Sequence, residues 1–334
     1  MSNTGNFFGG GSYNPDIEQN TKDIQKIPGK NLLINGDFSV WQRGASFTGY
    51  VYGSDRWVGG TNAVTSKQWS EDYGTVCRVR ATSNPSAAVL QQAVELLNTG
   101  FGVAYSPFQK ETTYTITVRG DSGGVLVTPN VRWAEGTATA SVPASSSTFT
   151  PKALVSTGTT WSFTMNSDLD SATHKCMVLY FALGTINQDV DFYDVKLEHG
   201  DVATPFVADD PATNLAKCQR YFFTTRGRGK SGVFGNGTIS STASGTFQVG
   251  VPLPTCMRVT KATVSLSGDH SIYGVSSAGG TITEEVTMTD GGAGADIGFV
   301  DIILQSESAP TNMRGSVAFR GMTSASYMDA DAEL

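Results

Sequence analysis

Chemistry in this chain would have to come from histidines, carboxylates or exposed aromatic rings, and their spacing points to binding. His174, His199 and His270 lie far apart, and none stands at metal-ligand or nucleophile-dyad spacing from Cys, Asp or Glu. His199, in Glu198-His199-Gly200, reads as a solvent-facing turn residue after a strand. A glycosidase needs two carboxylates about 5–10 Å apart across a cleft. Asp168-Leu169-Asp170 and Asp189-Val190-Asp191 offer pairs, but residues i and i+2 of a strand share one face and read as loop or edge acids. We therefore assign no catalytic residue. Sugar binding asks for exposed rings that stack on the apolar face of a pyranose, with amides and carboxylates to bond its hydroxyls. Trp57, Trp69, Tyr73 and Trp133 have polar sequence neighbours and are the glycan candidates, whereas Trp41 and Trp161, in apolar alternation, read as core.

Composition narrows the partners. A net charge of −7 opposes a partner held through phosphates, so no nucleic-acid ligand is expected. The four cysteines, Cys77, Cys176, Cys218 and Cys256, show no zinc or redox spacing and read as free thiols packed as small apolar groups. No apolar run reaches membrane-spanning length, so no membrane insertion is expected. The opening MSNTGNFFGGG has neither a basic nor an apolar signal region, which predicts synthesis and retention in a cytosol.

The elements that must position these residues read as β. Gly is abundant at 38 residues, Thr, Ser and Val recur, and runs of strong helix formers are scarce. Residues 1–30 are a polar, glycine-rich leader that needs a partner to become ordered. Within it Ile17 and Ile24 stand one heptad apart, compatible with a short coiled contact between copies, with a plain surface helix, or with disorder. Asn31 to Arg43 (NLLINGDFSVWQR) predicts a first strand broken by a bulge at Asn35-Gly36-Asp37. VCRVRA at 76–81 alternates, YTITV at 114–118 is a clean strand, and CMVLYFAL at 176–183 predicts burial on both faces. Residues 89–97 fit either a helical stripe or a strand, and we favour the strand. Two prolines and clustered acids around 209–216 predict a linker, CQRYFF at 218–223 a strand, and Asp290 to Gly294 a loop. The architecture expected is all-β: an extended leader (1–30), a jelly-roll β-sandwich (31–208), a linker (209–216) and a second, smaller β-sandwich (217–334). All five tryptophans precede residue 170, so the two units are built around different surfaces.

Four stretches carry a resemblance. NLLINGDFSVWQRG at 31–44, Ser54-Asp55-Arg56-Trp57, YDVKLEHGDVATPF at 193–206 and Lys217-Cys218-Gln219-Arg220-Tyr221-Phe222 resemble a recurrent module of tailed-bacteriophage tail-fibre and related virion proteins. The module is in turn similar to the jelly rolls of carbohydrate-binding modules, and the C-terminal DADAEL resembles the ends of such phage proteins. The resemblance implies a structural virion appendage, made in the host bacterial cytoplasm, that docks on tail or capsid proteins through the leader. Phe7, Phe8, Ile17 and Ile24 are the docking candidates. It also implies a homotrimer and β units presented to a host-surface glycan. The alternatives are a head fibre or capsid decoration with no receptor role, and a polysaccharide-degrading enzyme, for which the long repetitive β-helix pattern is absent. Carbohydrate-binding jelly rolls often hold a structural Ca²⁺ between first and last strands, and in this chain Asp37, Asp194 and Glu198 are the corresponding oxygen donors. Against calcium stands a simpler arrangement, Asp37 capping the Asn-Gly turn and Asp194 paired with Arg43 or Arg56. No other cofactor is expected.

Overall fold

The computed structural model describes residues 29–84, 87–95, 98–99, 103–104, 108, 110–121, 127–135, 152–157, 160–165, 174–226, 233–241, 246–257, 263–276, 281–294, 299–306, 313–322 and 326–332. The docking candidates Phe7, Phe8, Ile17 and Ile24, and the acids Asp168 and Asp170, lie outside the described residues.

The described residues from 29 to 199 form a jelly-roll β-sandwich. Its strands are β1 (Ser46–Thr48), β2 (Val58–Gly59), β3 (Ala63–Ser70), β4 (Gly74–Ala81), β5 (Val89–Glu95), β6 (Asn98–Thr99), β7 (Val103–Ala104), β8 (Thr113–Asp121), β9 (Val127–Glu135), β10 (Lys152–Thr157), β11 (Thr160–Thr164), β12 (His174–Leu183) and β13 (Asp189–His199). A seven-stranded sheet, β1-β3-β4-β13-β8-β11-β10, packs on a four-stranded sheet, β2-β5-β12-β9. The chain changes sheet between β4 and β5, β8 and β9, and β12 and β13, which places residues distant in sequence side by side. Alternation sets the faces: Cys77, Val79 and Ala81 of β4 point into the core and Arg78 and Arg80 away from it. The ambiguous 89–97 stretch is a strand over Val89–Glu95. In β12, burial on both faces holds for Cys176 to Leu179, all buried, whereas farther along Tyr180 and Ala182 are only half-buried.

A second, smaller β unit follows, built from β14 (Phe222–Thr224), β15 (Val233–Ser241), β16 (Thr246–Pro252), β17 (Thr263–Ser267), β18 (His270–Ser276), β19 (Thr281–Gly294), β20 (Phe299–Ser306), β21 (Met313–Gly321) and β22 (Tyr327–Asp331). Six of these close into a barrel, β15-β16-β20-β19-β18-β21, and a three-stranded sheet, β14-β22-β17, packs beside it. One core joins the two layers: Phe247, Val249, Val251, Ile302 and Leu304 from the barrel meet Phe223, Val264, Met328 and Ala330 from the small sheet. Asp290 to Gly294, expected as a loop, is the end of β19.

Two further stretches differ from expectation. Residues 209–216 are not an open linker, because a helix, α1 (Pro211–Gln219), starts there. Asp210 caps it, its side chain accepting from the Ala212 and Thr213 amides at 3.1 Å, Pro211 opens the first turn and Lys217 lies in the last. The hydrogen bond of the Thr213 side chain, followed by those of the Thr213 and Ala212 amides, holds the Asp210 carboxyl below its usual pKa. The start of CQRYFF is therefore helical, and only Phe222 and Phe223 of it join β14. The second difference is Asn31 to Arg43, which forms no strand. Asn35 and Phe38 have φ of 55° and 53°, a left-handed backbone that breaks strand geometry. Gly36 is required beside them, since a Cβ there would sit 2.5 Å from the Val195 carbonyl oxygen.

Candidate functional site

Three of the four stretches that carried the resemblance converge on one buried polar network, and the helix leading into the fourth supplies a further member. Asn31 ties the chain to β13: its Nδ2 donates to the Val195 carbonyl (3.0 Å) and its Oδ1 accepts from the Leu33 and Leu197 amides (3.1 and 3.0 Å). Buried Gln92 of β5 holds the same segment to the opposite sheet, accepting from the Ile34 amide and donating to the Ile34 carbonyl, both at 2.8 Å. The segment thus bonds both sheets, which a regular strand in one sheet could not do. Asn35, 1% exposed, donates to the Val40 carbonyl, Ser54 Oγ and the Asp55 carbonyl at 2.8–3.0 Å, and its own carbonyl accepts from the Trp57 indole at 2.9 Å. Asn214 of α1 completes the network. Its Nδ2 donates to Asn35 Oδ1, Asp37 Oδ1 and Ser39 Oγ (3.2, 3.0 and 2.8 Å), and its Oδ1 accepts from the Asn35 amide (3.2 Å). These asparagines join the sandwich to the helix that begins the C-terminal part.

On one flank of this joint is a cleft of about 640 Å³. One wall comes from the sandwich (Arg43, Phe47, Tyr50, Val51, Tyr52), the other from Phe222, Arg226 and the β17/β22 pair (Thr263, Ser265, Asp329, Asp331). Tyr50 and Val51 are 42% and 43% exposed, and the Tyr50 hydroxyl is held by Gln91 Nε2 at 2.8 Å. The Arg43 guanidinium lies 3.5 Å over the Phe222 ring and 5.0 Å from the Tyr52 ring, and pairs with Asp55 (3.4 Å) and Asp331 (3.2 Å). Arg226 lies 4.0 Å over Tyr327, pairs with Asp329 (2.7 Å) and donates to the Arg43 carbonyl (2.9 Å). Burial opposes charge on Arg226, but the hydrogen bond and charge of Asp329 outweigh it and raise its pKa above the ordinary arginine value. Rings, carboxylates and hydroxyls on facing walls are what a saccharide ligand needs.

Only part of the sequence-predicted set lies where expected. Trp57 is fully buried, packed on Phe38 and Phe181 with centroids 5.0 and 6.5 Å away, so it is core and cannot stack on a sugar. Its polar sequence neighbours misled because Arg56 is buried too, 3.5 Å over Tyr221 and donating to the Ala93 carbonyl at 2.7 Å. Trp69 is 75% exposed at the end of β3. Tyr73 stacks on Tyr193 at 4.1 Å across the outer face of the large sheet, where Arg78 and Arg80 pair with Asp191 and Asp189. The bond from Arg80 holds the Asp189 carboxyl below its usual pKa. Trp133 is on β9 opposite Met177, and its side chain lies outside the described ones. None of these four lines the cleft.

The calcium ligand set is not assembled. No cluster of three or more His, Cys, Asp or Glu suited to a metal occurs among the described residues. Asp37 bonds Ser39 and Asn214. Asp194 pairs with Arg119, not with Arg43 or Arg56. Glu198 is buried against Lys196 (3.1 Å) and accepts from the Thr204 amide and hydroxyl (2.9 and 2.5 Å), while Lys196 Nζ also donates to the Thr204 hydroxyl and the Pro205 carbonyl. Asp194 and Glu198 are thus committed to protein cations. His199 is also buried, 4.7 Å from the Tyr114 ring, and does not face solvent. Sequence reasoning missed the cleft because its walls lie at least 170 positions apart; the signal was Tyr50-Val51-Tyr52, three large apolar residues between glycines.

No family model matches the chain, and no curated protein matches it. Among solved structures it is similar to the N-terminal CBM22-1-CBM22-2 tandem domain from Paenibacillus barcinonensis Xyn10C, at 9% sequence identity and a TM-score of 0.31, over 91% of this chain and 96% of that one. The likeness is a distant one between all-β chains, and the functional argument rests on the cleft.

Proposed function

We propose that the chain is a non-enzymatic appendage of a tailed-phage virion, docked by its leader (1–30) and presenting its β units, as a homotrimer, to a glycan of the host surface. The observation that carries the glycan reading is the cleft, whose exposed Tyr50 and Val51 face the hydroxyls and carboxylates of β17 and β22. The virion assignment rests on the resemblance of the four sequence stretches, all of which lie at the joint beside that cleft. The non-catalytic reading is supported by the placement of Asp329 and Asp331 two residues apart on β22, each paired with an arginine. An acid–base pair acting on a glycosidic bond works from opposite sides of the substrate.

The test is binding of the full chain to a glycan array and to whole bacterial cells, with Tyr50→Ala as the cleft variant. Saturable binding that Tyr50→Ala abolishes is the expected result. Binding unaffected by that change refutes the cleft as the site. No binding to any host or glycan, with particles that still assemble, indicates a decoration protein instead, and release of reducing sugar would establish an enzyme.

A further inference from the structure

The charged groups around the cleft are matched to one another. Arg43, with a side chain 11% exposed, is pressed on Phe222 and held between Asp55 and Asp331. Arg226 directs Nε and Nη2 at Asp329 and Nη1 at the Arg43 carbonyl. Among the described residues, two guanidinium groups thus stand with three carboxylates, Asp55, Asp329 and Asp331. Asp331, 35% exposed, is the most accessible of the three carboxylates, against 1% for Asp55 and 14% for Asp329. Beside the two strand acids stand exposed hydroxyl residues, with Thr263 opposite Asp331 and Ser265 opposite Asp329 in the β17/β22 register.

Resting on the reading of the cleft as a glycan site, we infer that its ligand is a neutral saccharide and that glycans bearing carboxylate or sulfate groups are rejected. The lining presents carboxylate acceptors and hydroxyls to sugar hydroxyls, and a ring and an isopropyl group to the apolar face of a pyranose. The guanidinium donors of Arg43 and Arg226, the cations of the described lining, are directed at protein acceptors. An incoming anion would meet Asp331 as a like charge in a partly desolvated site.

The test is calorimetric titration of the full chain with matched oligosaccharides, a neutral hexose series against the same series oxidised at C6 to uronates or sulfated. The neutral series binds and loses binding in Tyr50→Ala, while the acidic series is weaker by about tenfold or more, the scale of one like-charge contact at a partly exposed site. Asp331→Asn narrows that gap. Should the substitution loosen the joint, the same gap in wild-type protein is read against salt, which narrows it by screening. Acidic members bound as well as or better than their neutral counterparts overturn the charge inference while the cleft stands. Failure of Tyr50→Ala to alter binding of either series overturns the cleft reading itself.

Discussion

Asn214 lies outside every strand of the sandwich, yet its replacement by alanine is expected to destabilise the sandwich as a core mutation does. The change deletes four hydrogen bonds. The Asn35 amide loses its side-chain acceptor at a site 1% exposed, which costs about 1–3 kcal/mol. Asn35 Oδ1 keeps the Val40 amide at 3.0 Å, Asp37 Oδ1 keeps the Ser39 hydroxyl at 3.1 Å, and Ser39 is exposed. Those three bonds therefore contribute only about 0.5 kcal/mol each. Alanine returns about 0.5 kcal/mol of helix propensity, which leaves a net loss of about 2–4 kcal/mol. Urea denaturation followed by tryptophan fluorescence is the assay, because all five tryptophans lie between residues 41 and 161 and report on the sandwich alone. Leu215→Ala, at a side chain 37% exposed on the same helix, is the control and should change stability by less than about 0.5 kcal/mol. A loss below about 1 kcal/mol in Asn214→Ala would show that the helix merely abuts the sandwich, and the joint described above would be wrong.

Three further outcomes follow from the same physics. Lys196→Met strands Glu198 in a buried site and should cost about 3–5 kcal/mol, and combining it with Glu198→Gln should cost less, both read by chemical denaturation. His270, buried between Phe234 and Phe319 with Nδ1 2.9 Å from the Gly268 carbonyl oxygen, has its pKa lowered by burial from the ordinary 6.5. Because the unfolded chain then binds a proton that the folded chain refuses, this contribution to stability is complete above pH 6.5 and is lost as pH falls from there through the folded-state pKa; His270→Gln should flatten that part of a stability profile. In the native protein Cys256 should react rapidly with a thiol reagent while Cys77, Cys176 and Cys218 stay blocked until unfolding. Burial, with Asp191 nearby, pushes the Cys77 thiol far up, so fast labelling of more than one thiol would contradict the packing.

Strands were legible wherever one face alternated. Val76 to Ala81 could be assigned residue by residue, because a two-residue period with a polar outer face has one reading. Asn31 to Arg43 looked like a strand because its apolar residues are real core residues: Leu33 and Phe38 are 3% and 0% exposed. What broke the strand was side-chain bonding by Asn31, Asn35 and Gln92, whose partners lie far along the chain. Helix α1 had its signals, Asp210-Pro211 at the start and Lys217 near the end, but two prolines and neighbouring acids also mark a linker, and nine residues carry little periodicity. Trp57 and the proposed calcium ligands were misassigned for one reason. Local sequence shows which polar residues are near a ring or a carboxylate, and not that Arg56 stacks on Tyr221 or that Arg119 reaches Asp194.

Among the described residues, the cleft draws its lining from the sandwich edge, β14, Arg226 after it, β17 and β22, and takes none from the six-stranded barrel. Mechanical load is therefore separated from display. A pull on anything held in the cleft would pass its tension through the Arg43–Asp331 pair, the Gln42 bond to the Phe222 carbonyl and the β14/β22 ladder, into the segment that Asn31 ties to β13. The barrel hangs beside that line of force. Its outward-facing residues can change without touching that line, whereas its inner face shares one core with β14, β17 and β22.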